Sequence, residues 1–128
     1  MEEALGSNPS RSTTRMETEL SIAEIEEGHT DEIKEWYSEL EQRSEETYKS
    51  LEQEGVAIEE AYIAEIQGTS YLLVYMASRD LEKAHSEGDK ENFEIVKEHH
   101  DVLERCRKTG PRQLEEASFQ RLEQVYAE

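Results

Sequence analysis

Cysteine is almost missing from this chain. The single Cys106 among 128 residues rules out an internal disulfide and suits a reducing cytoplasm. Basic residues are also scarce: 14 Lys and Arg stand against 32 Asp and Glu, for a net charge of -18. Such a surface repels phosphate backbones and anionic headgroups, so neither nucleic acid nor a membrane surface is an expected partner. No apolar run approaches the length of a membrane span. Residues 1–15 lack the apolar block of a secretion signal. Hydrophobic residues make up only 34%, with a mean hydropathy of -0.94. They gather, however, in periodic segments between Leu20 and Leu122. We therefore expect a single folded domain over 16–128 beneath a heavily charged surface. Acidic excess of this size fits a halophilic protein, in which salt screens self-repulsion.

Residues 1–15 are rich in Ser, Thr, Gly and Asn without periodicity, and read as a disordered tail. Gly6–Pro9 also back-translates into the T-arm of a transfer RNA gene, which makes Met16 an alternative start. Glu17–Ile25 alternates and reads as a first strand. Gly28-His29 turns the chain, and Thr30 is placed to cap a helix with Asp31 and Glu32 in its first turn. Ile33, Trp36, Tyr37, Leu40, Ser44, Thr47, Tyr48 and Leu51 then recur at threes and fours, predicting one long helix ended by Gly55. Val56–Ile66 and Thr69–Ser78 flank Gln67-Gly68, the pattern of a tight antiparallel hairpin. A short helix over Asp80–Ser86 is interrupted by Gly88. Asp89 is placed to cap a second long helix to about Arg107, and Thr109-Gly110-Pro111 stops it. The last segment suits a strand over Leu114–Leu122, with a helix as the alternative. The order is then β-α-β-β-α-β, an α+β ferredoxin-like four-stranded antiparallel sheet with both helices on one face.

Thr69–Ser78 decides the question of partners. Tyr71, Leu73 and Tyr75 point one way and Leu72, Val74 and Met76 the other. A wet strand face would be polar, so both faces need cover. Helices supply one cover, and a second copy of the chain is the economical other. Tyr71, Leu72, Leu73, Val74 and Met76 are thus the candidates for a homodimer interface.

The order of elements, with EEGHTDEIKEWYSELEQR, the third strand, KEHHDVL and LEEASFQRL, resembles the dimeric α+β-barrel superfamily over about Glu17–Leu122. Within it the chain is most similar to a small acidic uncharacterised family common in haloarchaea. Antibiotic-biosynthesis monooxygenases and rhamnose-type mutarotases are more distant. The resemblance implies the barrel dimer and leaves the activity unassigned. It also shows a departure. Rhamnose-type mutarotases carry a histidine near a tyrosine on the inner face of the first helix, whereas that stripe here has Ile33, Trp36, Tyr37 and Leu40. Acid–base work on a sugar needs a group titrating near neutrality, so the mutarotase reading loses its main support at this stage.

Trp36, Tyr37, Tyr62, Tyr75 and His100 are the expected lining of a small-molecule pocket between helices and sheet. His100 shares a stripe with Phe93, Val96 and Leu103. Its neighbour His99 points about 100° away, so the pair does not chelate one ion. Neither HExxH nor an EF-hand spacing occurs. No metal and no cofactor is expected. Cys106 lies between Arg105 and Arg107, which would activate a thiol if exposed; at a buried helix end it is inert. The leading expectation is a cytoplasmic dimeric barrel protein of unassigned role, binding a small molecule. Two alternatives stand beside it: a cofactor-independent monooxygenase or isomerase, and a scaffold whose open sheet face binds another protein.

Overall fold

The computed structural model describes residues 16–117. Its elements are β1 (Glu17–Glu24), α1 (Thr30–Gln42), α2 (Ser44–Glu54), β2 (Val56–Ile66), β3 (Thr69–Ser78), α3 (Leu81–Asp89), α4 (Glu94–Cys106) and β4 (Arg112–Gln113). The strands form one sheet in the order β2-β3-β1-β4, with every pair antiparallel. This is the ferredoxin-like α+β arrangement. β2 and β3 meet at Gln67 and Gly68, whose φ angles of 52° and 83° give the positive-φ pair of a two-residue hairpin turn. No helix among the described residues is long and apolar enough to cross a membrane.

The core lies between the helices and one sheet face. Ile25, Ile33, Leu72, Leu103 and Cys106 are buried together, with Tyr37, Ala61, Ile63, Val74 and Val102 packed around them. A second cluster joins Trp36 to Ile95 and Val96. Leu72 and Val74 therefore face the helices, and Met76 follows them by alternation. Those three lie on the helix side rather than at a surface open to a partner. Tyr71, Leu73 and Tyr75 occupy the opposite face. There they lie across from Ala64, Tyr62 and Glu60 of β2 and from Glu24, Ile22 and Leu20 of β1.

The long first helix is broken. Arg43 leaves helical geometry at φ -94°, ψ 49°, and α2 restarts at Ser44. The Thr47 hydroxyl donates to the Leu40 carbonyl at 2.8 Å. The Arg43 guanidinium donates to Glu39, Glu46 and Glu98, fixing the break against α4. The break rotates the expected stripe. Tyr48 turns outward to 68% exposure, and Ser50 is buried instead, its hydroxyl donating to the Thr47 carbonyl at 2.7 Å.

Other boundaries also move. His29, not Thr30, precedes the first helical residue. Gly88 stays inside α3, where the Glu54 carboxylate would lie 3.6 Å from a Cβ. Asp89 closes α3 instead of capping the next helix, and α4 starts at Glu94 after an extended Phe93. The last strand comes early and short. The Lys108 N–H donates to the Glu24 carbonyl at 2.8 Å and the Glu24 N–H to the Thr109 hydroxyl at 3.1 Å. These bonds dock the chain on β1 just after α4, so pairing falls at Arg112 and Gln113. The Leu114 N–H still donates to the Leu20 carbonyl, but Leu114 to Ala117 are not strand. The rest of the expected Leu114–Leu122 strand and the expected tail over 1–15 lie outside the described residues.

Asp80 caps α3, its carboxylate accepting from the Lys83 N–H at 3.0 Å. Asp80→Ala should cost about 1 kcal/mol in urea unfolding, the usual worth of an N-cap.

Candidate functional site

Alternation along β2 turns Glu59 towards the helices, in the row that continues through Ala61 and Ile63. α1 brings Trp36 and Tyr37 to the same place, and α4 brings His99. The Trp36 Nε1–H donates to His99 Nδ1 at 2.8 Å. The two rings stack at 6.1 Å and 27°, and Tyr37 meets His99 edge-on at 5.7 Å. A ring nitrogen that accepts from Trp36 carries no proton in the neutral imidazole, so the proton sits on Nε2. His99 Nε2 lies 3.9 Å from Glu59 Oε2. That is too long for a direct hydrogen bond.

The electrostatics separate the two. Burial, helped by His100 and Arg107, pushes His99 down to about 4. Burial, followed by the charge of Glu54, pushes Glu59 up to about 7, against the pull of His100 and His85. The side chains are only 19% and 20% exposed. Near neutrality a neutral N–H donor thus faces a carboxyl in mid-titration. Tyr37 adds a buried hydroxyl with no hydrogen-bond partner among the described residues. Burial and then Glu59 hold its pKa far above the usual phenol value. An orphaned buried hydroxyl is costly, and here it lies near the raised carboxyl of Glu59.

Further acids ring the site. Glu54 is raised by burial, with Glu87 adding to the rise and His100 opposing it. His85 Nε2 lies 2.8 Å from Glu19 Oε2. An open depression of about 510 Å³ along α1, lined by Glu35, Ser38, Glu39, Gln42 and Arg43, is a separate surface feature without a buried carboxyl.

Of the residues expected to line a pocket, Trp36 and Tyr37 come together here. His100 does not join them. It turns outward, its Nδ1 2.7 Å from Glu91 Oε2. Tyr62 and Tyr75 belong to the open sheet face. Tyr62 is 56% exposed there, and its hydroxyl donates to Glu60 at 3.0 Å. His99 and Glu59 are the residues sequence reasoning missed. The signal for His99 was its spacing from Ile95 and Val96, four and three residues back, both buried. The signal for Glu59 was the adjacent pair Glu59-Glu60 in a largely apolar strand, one of which must face inward. Cys106 is buried and its thiol is raised to about 11, by burial and then by Glu32, so the flanking arginines do not activate it.

The family described as a family of unknown function (DUF6176) matches residues 16–126. No curated protein matches the sequence. Solved structures do. A conserved protein from Methanosarcina mazei Go1 aligns at TM-score 0.56 and 12% identity, over 82% of this chain and 94% of that one. An L-rhamnose mutarotase from Formosa agariphila aligns at TM-score 0.53 and 21% identity, over 82% and 99%. A protein with a provisional antibiotic biosynthesis monooxygenase name, from Nitrosomonas europaea, aligns at TM-score 0.50 and 12% identity, over 77% and 86%. At these identities the likeness concerns the fold alone.

Proposed function

We propose, for a chain that belongs to the family of unknown function DUF6176, a cytoplasmic protein that moves a proton on a small hydroxylated molecule held between helices and sheet. One domain over 16–128, paired two-fold through the open sheet face, carries the site. The observation that supports this reading is the pairing of a half-buried Glu59, titrating near 7, with the neutral Nε2–H of His99. General acid–base groups work best when their pKa lies near the operating pH. The first helix has no histidine for that task, and β2 supplies a carboxyl instead.

The roles divide by charge. Ionised Glu59 takes the proton of an anomeric hydroxyl as the bond from the anomeric carbon to the ring oxygen breaks, and protonated Glu59 delivers that proton to the ring oxygen; the reverse closure gives the other anomer. His99 does not exchange its Nε2 proton; it donates a hydrogen bond to the oxygen on which negative charge develops. The Tyr37 hydroxyl offers a second polar contact, and the buried Trp36 ring, stacked on His99 and donating to its Nδ1, holds the imidazole in this orientation. Among the enzyme alternatives this favours the isomerase or mutarotase-like one, because its chemistry is proton transfer at a hydroxyl.

Anomer exchange measured by NMR over a panel of reducing sugars, including deoxyhexoses, tests the proposal. The wild type should accelerate exchange of at least one sugar, with a rate that changes through pH 7. Glu59→Gln should lower that rate by about 10²–10⁴, the usual share of a general acid–base group. Equal rates for the two proteins, or no acceleration of any sugar, would overturn it.

A further inference from the structure

A second cluster lies where α1 begins and α4 ends. His29 precedes α1, Glu32 is in its first turn, and Cys106 is the last residue of α4. One ligating atom from each lies within 4.8 Å of the other two. His29 Nδ1 is 3.1 Å from Glu32 Oε1. Two backbone links pin the elements together: the Glu26 N–H donates to the Cys106 carbonyl at 2.8 Å, and Ile25 bridges Arg107. The three side chains are thus held by structure distant in sequence.

We propose that His29, Glu32 and Cys106 form a site for a borderline-soft divalent cation, Zn²⁺ or Co²⁺. The donor set is one imidazole nitrogen, one carboxylate oxygen and one sulfur. Sulfur selects against Mg²⁺ and Ca²⁺, and three protein ligands with a fourth position open to water suit tetrahedral Zn²⁺. The charges balance: a thiolate and a carboxylate neutralise the cation. The sulfur has a wall behind it, since Cys106 is fully buried among Ile25, Ile33, Leu72 and Leu103. The other side is open, with the His29 and Glu32 side chains 32% and 37% exposed. Arg105 supplies the outer support, because its guanidinium donates to Glu32 Oε2 and leaves Oε1 turned towards His29. A ligating carboxylate oriented from behind in this way is typical of metal sites. On binding, the cation replaces the thiol proton, which passes to solvent.

The site is separate from the Glu59 carboxyl, so the two proposals stand or fall independently. Co²⁺ titration of the reduced full chain, followed by absorption, tests this one. The wild type should bind one Co²⁺ with a thiolate-to-cobalt charge-transfer band and the visible bands of tetrahedral cobalt. Zn²⁺ should displace it. Cys106→Ser should abolish the charge-transfer band. His29→Ala, at a side chain one-third exposed, should weaken binding by at least about tenfold while its far-ultraviolet circular dichroism stays native. Cobalt taken up without the sulfur band, as expected of loose binding to an acidic surface, would overturn the proposal. So would affinity unchanged in His29→Ala.

Discussion

Leu73→Glu should turn the proposed dimer into a monomer that remains folded. Leu73 sits in the middle of the open face, between Ile22 of β1 and Tyr62 of β2. Leu20, Ile22, Tyr71 and Tyr75 continue the apolar surface, and Ile58, Tyr62 and Ile66 extend it as exposed apolar groups. A two-fold contact places each such residue in the interface twice. A carboxylate at its centre would be buried without a partner, at a cost of about 2–4 kcal/mol per copy if Leu73 is a hot spot. Sedimentation equilibrium should show the wild-type dimer lost by a factor of a hundred or more in association constant. The monomer should keep its helical circular dichroism, because the helix-facing core through Leu72 is untouched. Salt should act on the wild type in the opposite direction. Screening shortens from about 10 Å at 0.1 M to about 3 Å at 1 M, so two chains of charge -18 should associate more tightly as salt rises. A wild type that stays monomeric at every salt concentration would remove the dimer.

The second large effect is a tilt of stability with pH that appears only in variants. Glu59 is raised from 4.5 to about 7, so the folded state takes its proton first and Glu59 adds stability as pH falls from 7 towards 4.5. His99 is lowered from 6.5 to about 4, so the unfolded state takes that proton first and stability is lost as pH falls through the same range. Between about 6.5 and 4.5 each state holds one proton, the folded state on Glu59 and the unfolded state on His99. Their contributions cancel, and the wild type gains or loses little from this pair. Glu59→Gln removes one arm. Relative to wild type it should lose about 3 kcal/mol between pH 8 and pH 4.5. His99→Phe removes the other arm and should gain a similar amount, relative to wild type, between pH 7 and pH 4. Urea unfolding across that range measures both. Referring each variant to the wild type cancels the general relief of acidic repulsion. Parallel profiles would show that neither group is perturbed.

The hairpin was legible because everything that defines it is local. The alternation in Val56–Ile66 and Thr69–Ser78 and the turn at Gln67-Gly68 leave no other pairing, and the observed bounds are the expected ones. Arg43 was not legible as a break. The segment around it reads as helix, and the carboxylate that fixes it against α4, Glu98, is 55 residues away. The inner histidine depended on rotational phase. Starting α4 at Glu94, with Ile95 and Val96 buried, turns His99 inward and sends His100 to Glu91. The face of each β3 residue was half legible. Alternation separated Tyr71, Leu73 and Tyr75 from Leu72, Val74 and Met76, but only the helices decide which set is covered. Glu59 was hidden for the same reason, since in sequence it is indistinguishable from its neighbour Glu60.

The sheet's borders bear on how the protein avoids aggregation. β2 is an outer strand, and its pairing is irregular between Val56 and Ile58. It also carries Glu60 and Glu65, both exposed. A kinked, acidic border is a poor template for another strand. At the opposite border, among the described residues, β4 contributes two paired residues, Arg112 and Gln113, both exposed. Strand-by-strand growth into fibres is thereby discouraged at both ends. In the proposed two-fold pairing the apolar surface would meet its like broadside, an encounter that ends at two chains instead of continuing without limit.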